Sequence, residues 1–391
     1  MQCLGMDIGT MFVVGARPGA GGTAQISKVR DCFVLIKGNK FNQRMYTNNK
    51  DIHWMPWENG DIALVGDSAL NYANSAPMAL EVRRPLSKGI LNKDERDAFP
   101  MLRAIVESVA GRAQGPGICT LSIPAPTIDV EYLIDHHRDV LLQILRELGW
   151  QVQLEHEGFC VVLSALETSQ FSGIGLSFGG GMVNVSFSFF ADELFAFSMQ
   201  KAGDWVDQVA ADASRYSKAE ITSMKESEFS LLDNNTGKDG LWQIESAYMS
   251  LINATVENIC VAFEQLEKKP RVKDPLPVAI AGGTSMVPGF VERFEKALRE
   301  SRFPVPVGRV FSAQDPLFAV AKGAMVHAIS TMEDAEVATL PEPAVASIAV
   351  LEIEEAVPDN SQGPPQEAPP QEPGVPSIPL PDSFGPVKRP Q

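Results

Sequence analysis

The chain lacks the cysteine patterns that accompany disulfide frameworks or cysteine-bound metals. Its 391 residues include five cysteines, which are scattered without a CxxC spacing or a histidine at a metal-binding interval. We interpret them as reduced thiols, most of them in the core, and therefore expect a cytoplasmic protein. They are Cys3, Cys32, Cys119, Cys160 and Cys260.

The sequence also lacks a long apolar run and a basic stripe. No stretch approaches the roughly 20 apolar residues of a membrane-spanning helix, and the first residues enter a predicted strand directly. We therefore expect no signal peptide and no direct membrane insertion. The formal net charge is −16, and no basic cluster is interleaved with aromatics, so we expect no nucleic-acid binding.

What the sequence does contain is a set of glycine turns after buried strands. In residues 278–298 an apolar run, VAIA, meets Gly282, Gly283 and Thr284, and a helical pattern is predicted to follow at once. A strand, a glycine turn and a helix N-terminus together bring bare backbone N–H groups close to an anion.

Two similar turns occur upstream, and each is predicted to be a hairpin. In the first, Asp7 ends a strand just before Gly9 and Thr10, where a carboxylate can hold hydrated Mg²⁺ beside phosphates. In the second, Ser177 is followed by three glycines that leave room for a phosphate to approach the backbone. These glycines are Gly179, Gly180 and Gly181.

The three turns, in this order, resemble those of the actin-like ATPases, which include actin, MreB, ParM and the heat-shock chaperone ATPases. The resemblance covers residues 1–330 and is greatest to bacterial actin homologues. Further segments resemble the family in the expected order: GDSAL (66–70), RRPLSKGIL (83–91), IPAPTIDVEYL (123–133), GDWVD (203–207) and DPLFAVAKGAMVHA (315–328).

The alternation of strand and helix patterns predicts an α/β protein, and the resemblance implies two related domains around a nucleotide cleft. The first domain is expected at residues 1–172, with a small subdomain inserted at about 31–75. The second is expected at 173–330, with a helical subdomain inserted at about 204–270. Residues 331–391 are expected to form a disordered tail.

Local patterns add detail to this division. In the small subdomain, CFVLIKG, MYTNN and IALVG suggest short strands. From Trp242 to Leu266, apolar residues recur at helical spacing and predict an amphipathic helix. His136 and His137 are adjacent on a predicted helix, and we interpret both as surface residues.

The expected tail is acidic and rich in proline. Residues 333–391 contain eleven acidic and two basic residues, so 11 − 2 gives nine of the sixteen excess negative charges. Such a composition cannot bury enough apolar surface to fold. It is either a solvated tail or a tether that docks a protein partner through 345–355 or the final SIPLPDSF segment.

The resemblance implies ATP and Mg²⁺ as ligands and phosphoryl transfer to water as the chemistry. Asp7 is then the metal-binding carboxylate. Glu131 is the first candidate for orienting the attacking water, followed by Asp129 and, more distantly, Glu157. Lys225 lies where the family holds the nucleoside.

The second hairpin departs from the family pattern. Relatives usually open it with aspartate in a DxGGGTT segment, whereas this chain has Ser177, and Met182 and Val183 replace the threonines. The loss of a carboxylate near the metal predicts slow or impaired hydrolysis. Nucleotide binding, which depends mainly on glycines and backbone, is expected to persist.

Three functions are compatible with these observations. The first is a bacterial actin-like cytoskeletal protein that binds ATP and self-assembles into filaments. The second is a non-polymerising, nucleotide-binding scaffold of the PilM type that docks partner peptides. The third is an ATP-driven chaperone, which is disfavoured because the tail supplies no folded substrate domain.

Overall fold

The structure is a computed structural model that describes residues 2–49, 52–75, 80–130 and 134–338. These residues form fifteen strands and ten α-helices. None of the described helices is both long and apolar enough to cross a membrane.

The strands are β1 (Gln2–Ile8), β2 (Phe12–Pro18), β3 (Ala24–Arg30), β4 (Phe33–Ile36), β5 (Trp54–Pro56), β6 (Ile62–Val65), β7 (Leu86–Ser87), β8 (Ile90–Leu91), β9 (Gly117–Ile123), β10 (Gln151–His156), β11 (Gly173–Phe178), β12 (Val183–Phe189), β13 (Asp192–Met199), β14 (Leu276–Ala281) and β15 (Val307–Ser312). The helices are α1 (Lys40–Asn48), α2 (Asp67–Ser75), α3 (Ala98–Ala110), α4 (Ile134–Glu147), α5 (Glu157–Ala165), α6 (Gly203–Asp212), α7 (Lys218–Ser227), α8 (Leu241–Glu264), α9 (Phe290–Glu300) and α10 (Ala319–Ala338).

Two five-stranded sheets share one connectivity. The first has the order β3-β2-β1-β9-β10, and the second has the order β13-β12-β11-β14-β15. In each, an antiparallel meander is extended by two strands parallel to its first strand. A helix connects these two strands in each sheet, α4 in the first and α9 in the second. We call the residues up to 172 the first half and those from 173 the second half.

The two halves exchange a helix. Helix α5 follows β10 of the first sheet but packs on β11 and β12 of the second, whereas α10 follows β15 and packs on β1 and β9. Both contacts are so close that the strand residue must lack a Cβ. A Cβ at Gly5 would lie 2.2 Å from the Ala321 carbonyl oxygen, and one at Gly175 would lie 2.3 Å from that of Gly158.

The small subdomain contains the sheet β4-β6-β5 and the helices α1 and α2. The strands predicted at CFVLIKG and IALVG are present as β4 and β6. The strand predicted at MYTNN is wrong, because those residues lie in or directly after α1. Asn39 begins that helix with a capping box, in which its side chain accepts from the backbone N–H groups of Phe41 and Asn42.

Helices α6, α7 and α8 lie between β13 and β14 in the chain, within the predicted helical segment. Helix α8 matches the amphipathic pattern, and its buried face includes Ile244, Leu251 and Ile259. Together with α9 it covers one face of the second sheet and forms the largest described hydrophobic cluster with Phe178 and Phe187.

Two sequence expectations fail in the helices. His137 is buried, not exposed, and its Nδ1 accepts a hydrogen bond from the Leu91 N–H at 3.2 Å, so α4 turns this histidine toward β8. In addition, α10 continues past Ser330 to Ala338. Met332 packs against Cys3 and Ile118 and extends the helix by burying apolar surface. The tail from 339 onward lies outside the described residues.

Candidate nucleotide site

The hairpin between β1 and β2 is closed by one short backbone bond. The Gly9 N–H donates to the Phe12 carbonyl at 3.0 Å, which turns the chain within the predicted MDIGT segment. Asp7 lies just before the turn, opposite Val14 on β2. Thr10 is buried, and its hydroxyl accepts from the Gly89 N–H at 3.0 Å.

The hairpin between β11 and β12 has the same construction. The Gly179 N–H donates to the Met182 carbonyl at 2.9 Å, and Ser177 lies opposite Asn184 as Asp7 lies opposite Val14. The carbonyl groups of Gly179 and Gly180 also accept hydrogen bonds. That of Gly179 accepts from the Thr284 hydroxyl at 2.8 Å. That of Gly180 accepts from the N–H of Asp204, at the start of α6, at 2.7 Å.

The two hairpin tips contact each other. A Cβ at Gly181 would lie 2.4 Å from Thr10 Oγ1 and 2.3 Å from the Gly89 nitrogen, and one at Gly180 would lie 3.0 Å from Met11 Cγ. The triple glycine therefore lets the second hairpin approach the first, in addition to the predicted phosphate-binding role. The structure thus brings together Thr10 and the glycines of both hairpins.

A pair of acids lies beside these hairpins. Glu157 begins α5, and its Oε2 accepts from Asn184 Nδ2 at 2.9 Å, while Asn184 Oδ1 accepts from the Ala125 N–H at 3.1 Å. The Ser177 side chain also lies near enough to the Glu157 carboxylate to lower its pKa. The sequence ranked Glu157 third among the catalytic candidates, yet it is the acid in contact with the second hairpin.

Asp7 and Glu157 influence each other electrostatically. Burial raises the pKa of Asp7. Burial, and then the nearby charge of Asp7, raise the pKa of Glu157, and its hydrogen bond to Asn184 and the nearby Ser177 side chain lower it in part. No lysine or arginine contributes to either shift within the described residues. Two buried carboxylates that interact electrostatically and lack a basic partner suit a hard divalent cation such as Mg²⁺, which prefers oxygen ligands.

The strand-glycine turn at residues 282 and 283 differs in part from the prediction. A single 3₁₀ turn, Gly283–Met286, follows β14, and α9 begins only at Phe290, so a helix does not follow at once. Gly289, which has a φ of 85°, lies between this 3₁₀ turn and α9. The N-terminus of α9 is therefore displaced from the glycine pair.

The two glycines of this turn have different surroundings. Gly282 has a φ of 91°, and a Cβ there would lie 2.3 Å from the Phe178 carbonyl oxygen, so this residue packs the turn onto β11. At Gly283 the nearest atom to an added Cβ is Leu317 Cδ1, at 3.7 Å. A Cβ at Gly283 would thus make only an ordinary van der Waals contact. Thr284 is buried and holds the second hairpin.

The other predicted residues lie elsewhere or outside the described part. Asp129 Oδ2 accepts from the N–H groups of Gln200 and Lys201, at 2.8 and 3.4 Å. Lys225 lies 2.6 Å from Asp207, and both side chains are largely buried. Glu131 lies outside the described residues. Of the three candidate acids, the structure thus assigns surroundings to Asp129 and Glu157.

Comparisons with known proteins agree with the repeated α/β unit. A family model described as Volactin matches residues 1–328. No curated protein matches the sequence significantly.

Among solved structures, the "MamK double helical filament" is similar with a TM-score of 0.59 and 16% identity, over 86% of this chain and 99% of that one. MreB5 of Spiroplasma citri bound to AMPPNP also gives 0.59, at 15% identity, over 86% and 98%. Its ADP-bound form gives 0.58, at 16% identity, over 85% and 98%. These likenesses confirm the predicted actin-like fold.

Proposed function

The chain belongs to the Volactin family, and on that premise we propose that it is an actin-like cytoskeletal protein that binds ATP with Mg²⁺ and assembles into filaments. The observation that carries the proposal is the pair of matching glycine hairpins with Asp7 and Glu157 beside them. The similar MreB5 structures are bound to AMPPNP and ADP, and the similar MamK structure is a double helical filament. The MreB5 structures support the proposed ligand by analogy, and the MamK structure supports the proposed assembly in the same way.

In this proposal the backbone of the two hairpins holds the phosphates. Gly9 and Thr10 act from the first half, and Gly179, Gly180 and Gly181 act from the second, since glycine lets the chain approach a phosphate without a Cβ. Gly283, which is exposed, borders the nucleoside, with Gly282 and Thr284 fixing the turn.

The acid pair is the proposed metal-binding group. Mg²⁺ supplies charge neutralisation between phosphate oxygens when it is bound. Asp7 offers a carboxylate from the first half, and Glu157 offers a second one that Asn184 and Ser177 orient. With the cation bound, Glu157 would therefore provide, from α5, the negative charge that Ser177 lacks. We propose slow hydrolysis, with Glu157 joining Glu131 as a candidate for orienting water.

Isothermal titration calorimetry of the full chain with ATP and Mg²⁺ tests the binding. The variant Gly283→Val should weaken ATP binding because a side chain there fills the space beside the turn, and the fold should tolerate it. Gly282→Val is unsuitable, since its Cβ would meet β11. Unchanged circular dichroism with lost binding supports the site, and wild-type protein that ignores ATP and ADP would refute it.

Sedimentation and electron microscopy with ATP, ADP or no nucleotide test the assembly. We expect polymer above a critical concentration, because head-to-tail contacts do not close. A chain ending at Ala338 should still polymerise. Residues 339–391 contain eight acidic and two basic residues, so 8 − 2 gives six net negative charges, and burying these in a contact would be costly. Nucleotide binding without polymer from either chain would favour the docking-scaffold alternative.

A further inference from the structure

Four titratable side chains meet where the two halves join, apart from the hairpins. Glu155 and His156 end β10, Glu193 lies on β13 of the second sheet, and His327 lies on α10. One donor atom from each of Glu155, His156 and Glu193 lies within 4.8 Å of the others. His327 Nε2 lies 3.4 Å from Glu155 Oε2. We call these four residues the junction cluster.

We propose that the junction cluster binds a divalent transition metal of the zinc class. Imidazole and carboxylate are ligands of Zn²⁺, whereas Mg²⁺ takes oxygen ligands almost exclusively. The His156 Nδ1 to Glu193 Oε2 distance is 2.7 Å. Ligand atoms around tetrahedral Zn²⁺, with bonds of about 2 Å, lie about 3.3 Å apart. Small rotations of the Glu155, His156 and Glu193 side chains would therefore bring three donor atoms to coordination distance of one ion.

The side chains around the cluster already orient the donors as a metal site requires. Metal-binding histidines and carboxylates are usually held by further hydrogen bonds. Here the Ser186 hydroxyl donates to Glu193 Oε1 at 2.7 Å, and His327 Nδ1 lies 3.0 Å from Thr120 Oγ1. The His327 ring therefore presents its other nitrogen, Nε2, to Glu155.

A buried hydroxyl next to the cluster has no partner among the described residues. Ser122 is 4% exposed, and its Oγ makes no hydrogen bond there. Ser122 lies directly opposite Glu155 in the parallel pairing of β9 with β10, so both side chains project from the same face of the sheet. A metal-bound water beside Glu155 would give this hydroxyl a partner.

The charges of the cluster also favour a cation. In the described residues, the ion pairs of Glu155 and Glu193 involve only the two histidines, with no lysine or arginine. A divalent ion neutralises both carboxylates and leaves the imidazoles neutral, as metal ligation requires. All four side chains are between 17% and 29% exposed, which gives an ion a route from solvent.

The test begins with the metal-free full chain, titrated with Zn²⁺ in excess Mg²⁺ and without nucleotide. We expect about one equivalent of bound Zn²⁺. His156→Gln and Glu193→Gln should each weaken binding by at least about tenfold, because removing outer partners alone costs roughly 10- to 100-fold. The matched controls are His136→Gln and Glu167→Gln, which change exposed residues of the same types. Both should bind Zn²⁺ like the wild type.

Three results of the titration would overturn the proposal: no zinc bound by the wild type, wild-type affinity in both cluster variants, or an equal loss in the controls. X-ray absorption of the zinc-loaded wild type covers the case in which a variant does not fold. Scattering from imidazole supports the site. Scattering without imidazole would place the ion elsewhere, for example at Asp7 and Glu157, and would refute the proposal.

Discussion

The two halves share a sheet topology but place their acids differently. Asp7 and Ser177 hold corresponding positions, because each lies two residues before the glycine whose N–H closes its hairpin. The first half keeps its carboxylate on the hairpin strand. The second has a hydroxyl there, and the nearby carboxylate is that of Glu157, on a helix that the first half contributes. The proposed metal site would thus take its second carboxylate from another segment of the chain.

The largest expected effect concerns Gly5 and Gly175. Each is the strand glycine at which a sheet contacts the helix supplied by the other half. Gly5→Val and Gly175→Val should each lower the free energy of unfolding by about 3 kcal/mol, because the added atoms collide with the backbone of α10 or α5. Urea denaturation without nucleotide measures this, with Gly283→Val as the control. A large loss in only one of the two variants would break the equivalence of the two halves.

The second prediction concerns the pH dependence of stability, which should differ between the corresponding helices of the two halves. Burial lowers the pKa of His137 on α4 to about 4, whereas the corresponding helix α9 buries Phe290, Phe294 and Leu298. The folded pKa lies below the unfolded value of about 6.5, so the unfolded chain binds the proton first. Stability from this group is complete above pH 6.5 and falls by about 3 kcal/mol as pH drops toward 4.

Urea denaturation across this pH range, compared with His137→Asn, isolates the histidine. Asparagine can still accept from the Leu91 N–H and does not titrate. We expect the variant to lose less stability on acidification than the wild type. Parallel pH curves for the two proteins would contradict the assignment.

The third prediction concerns turnover. Glu157→Gln should lower phosphate release about a hundredfold, the range expected for a positioned acid or base, while ATP affinity changes much less. The substitution keeps the shape of the side chain and removes its charge. Glu167→Gln, at an exposed site beyond the same helix, is the control. Wild-type turnover in Glu157→Gln would return Glu131 to first place among the candidates.

The smallest effect is expected at Asp129. Its carboxylate holds the backbone at Gln200 and Lys201, so Asp129→Ala should cost about 2 kcal/mol of stability, typical of bonds to a charged group. Phosphate release per folded molecule should stay unchanged. Thermal denaturation and a phosphate-release assay on the same sample measure both. A large fall in turnover without a change in stability would make Asp129 catalytic.

The sequence predicted the features that depend on neighbours along the chain. Glycine turns after apolar strands indicated both hairpins, and helical spacing indicated α8. It did not predict contacts between distant segments. The position of Glu157 beside Ser177, and the burial of His137 against β8, depend on how helices and strands pack, which local spacing does not encode. The MYTNN error has a local cause, since a capping asparagine outweighed the strand propensity of Tyr46 and Thr47.

The exchange of α5 and α10 also makes the folding of the first sheet depend on a segment that is synthesised late. The first sheet begins with β1, but the helix that covers β1 and Val14 is α10, the last described element to be made. Until residues 319–338 leave the ribosome, that face of the sheet has no helical cover and its apolar side chains meet water. We therefore expect the final folding step of the N-terminal half to wait for the synthesis of the second half.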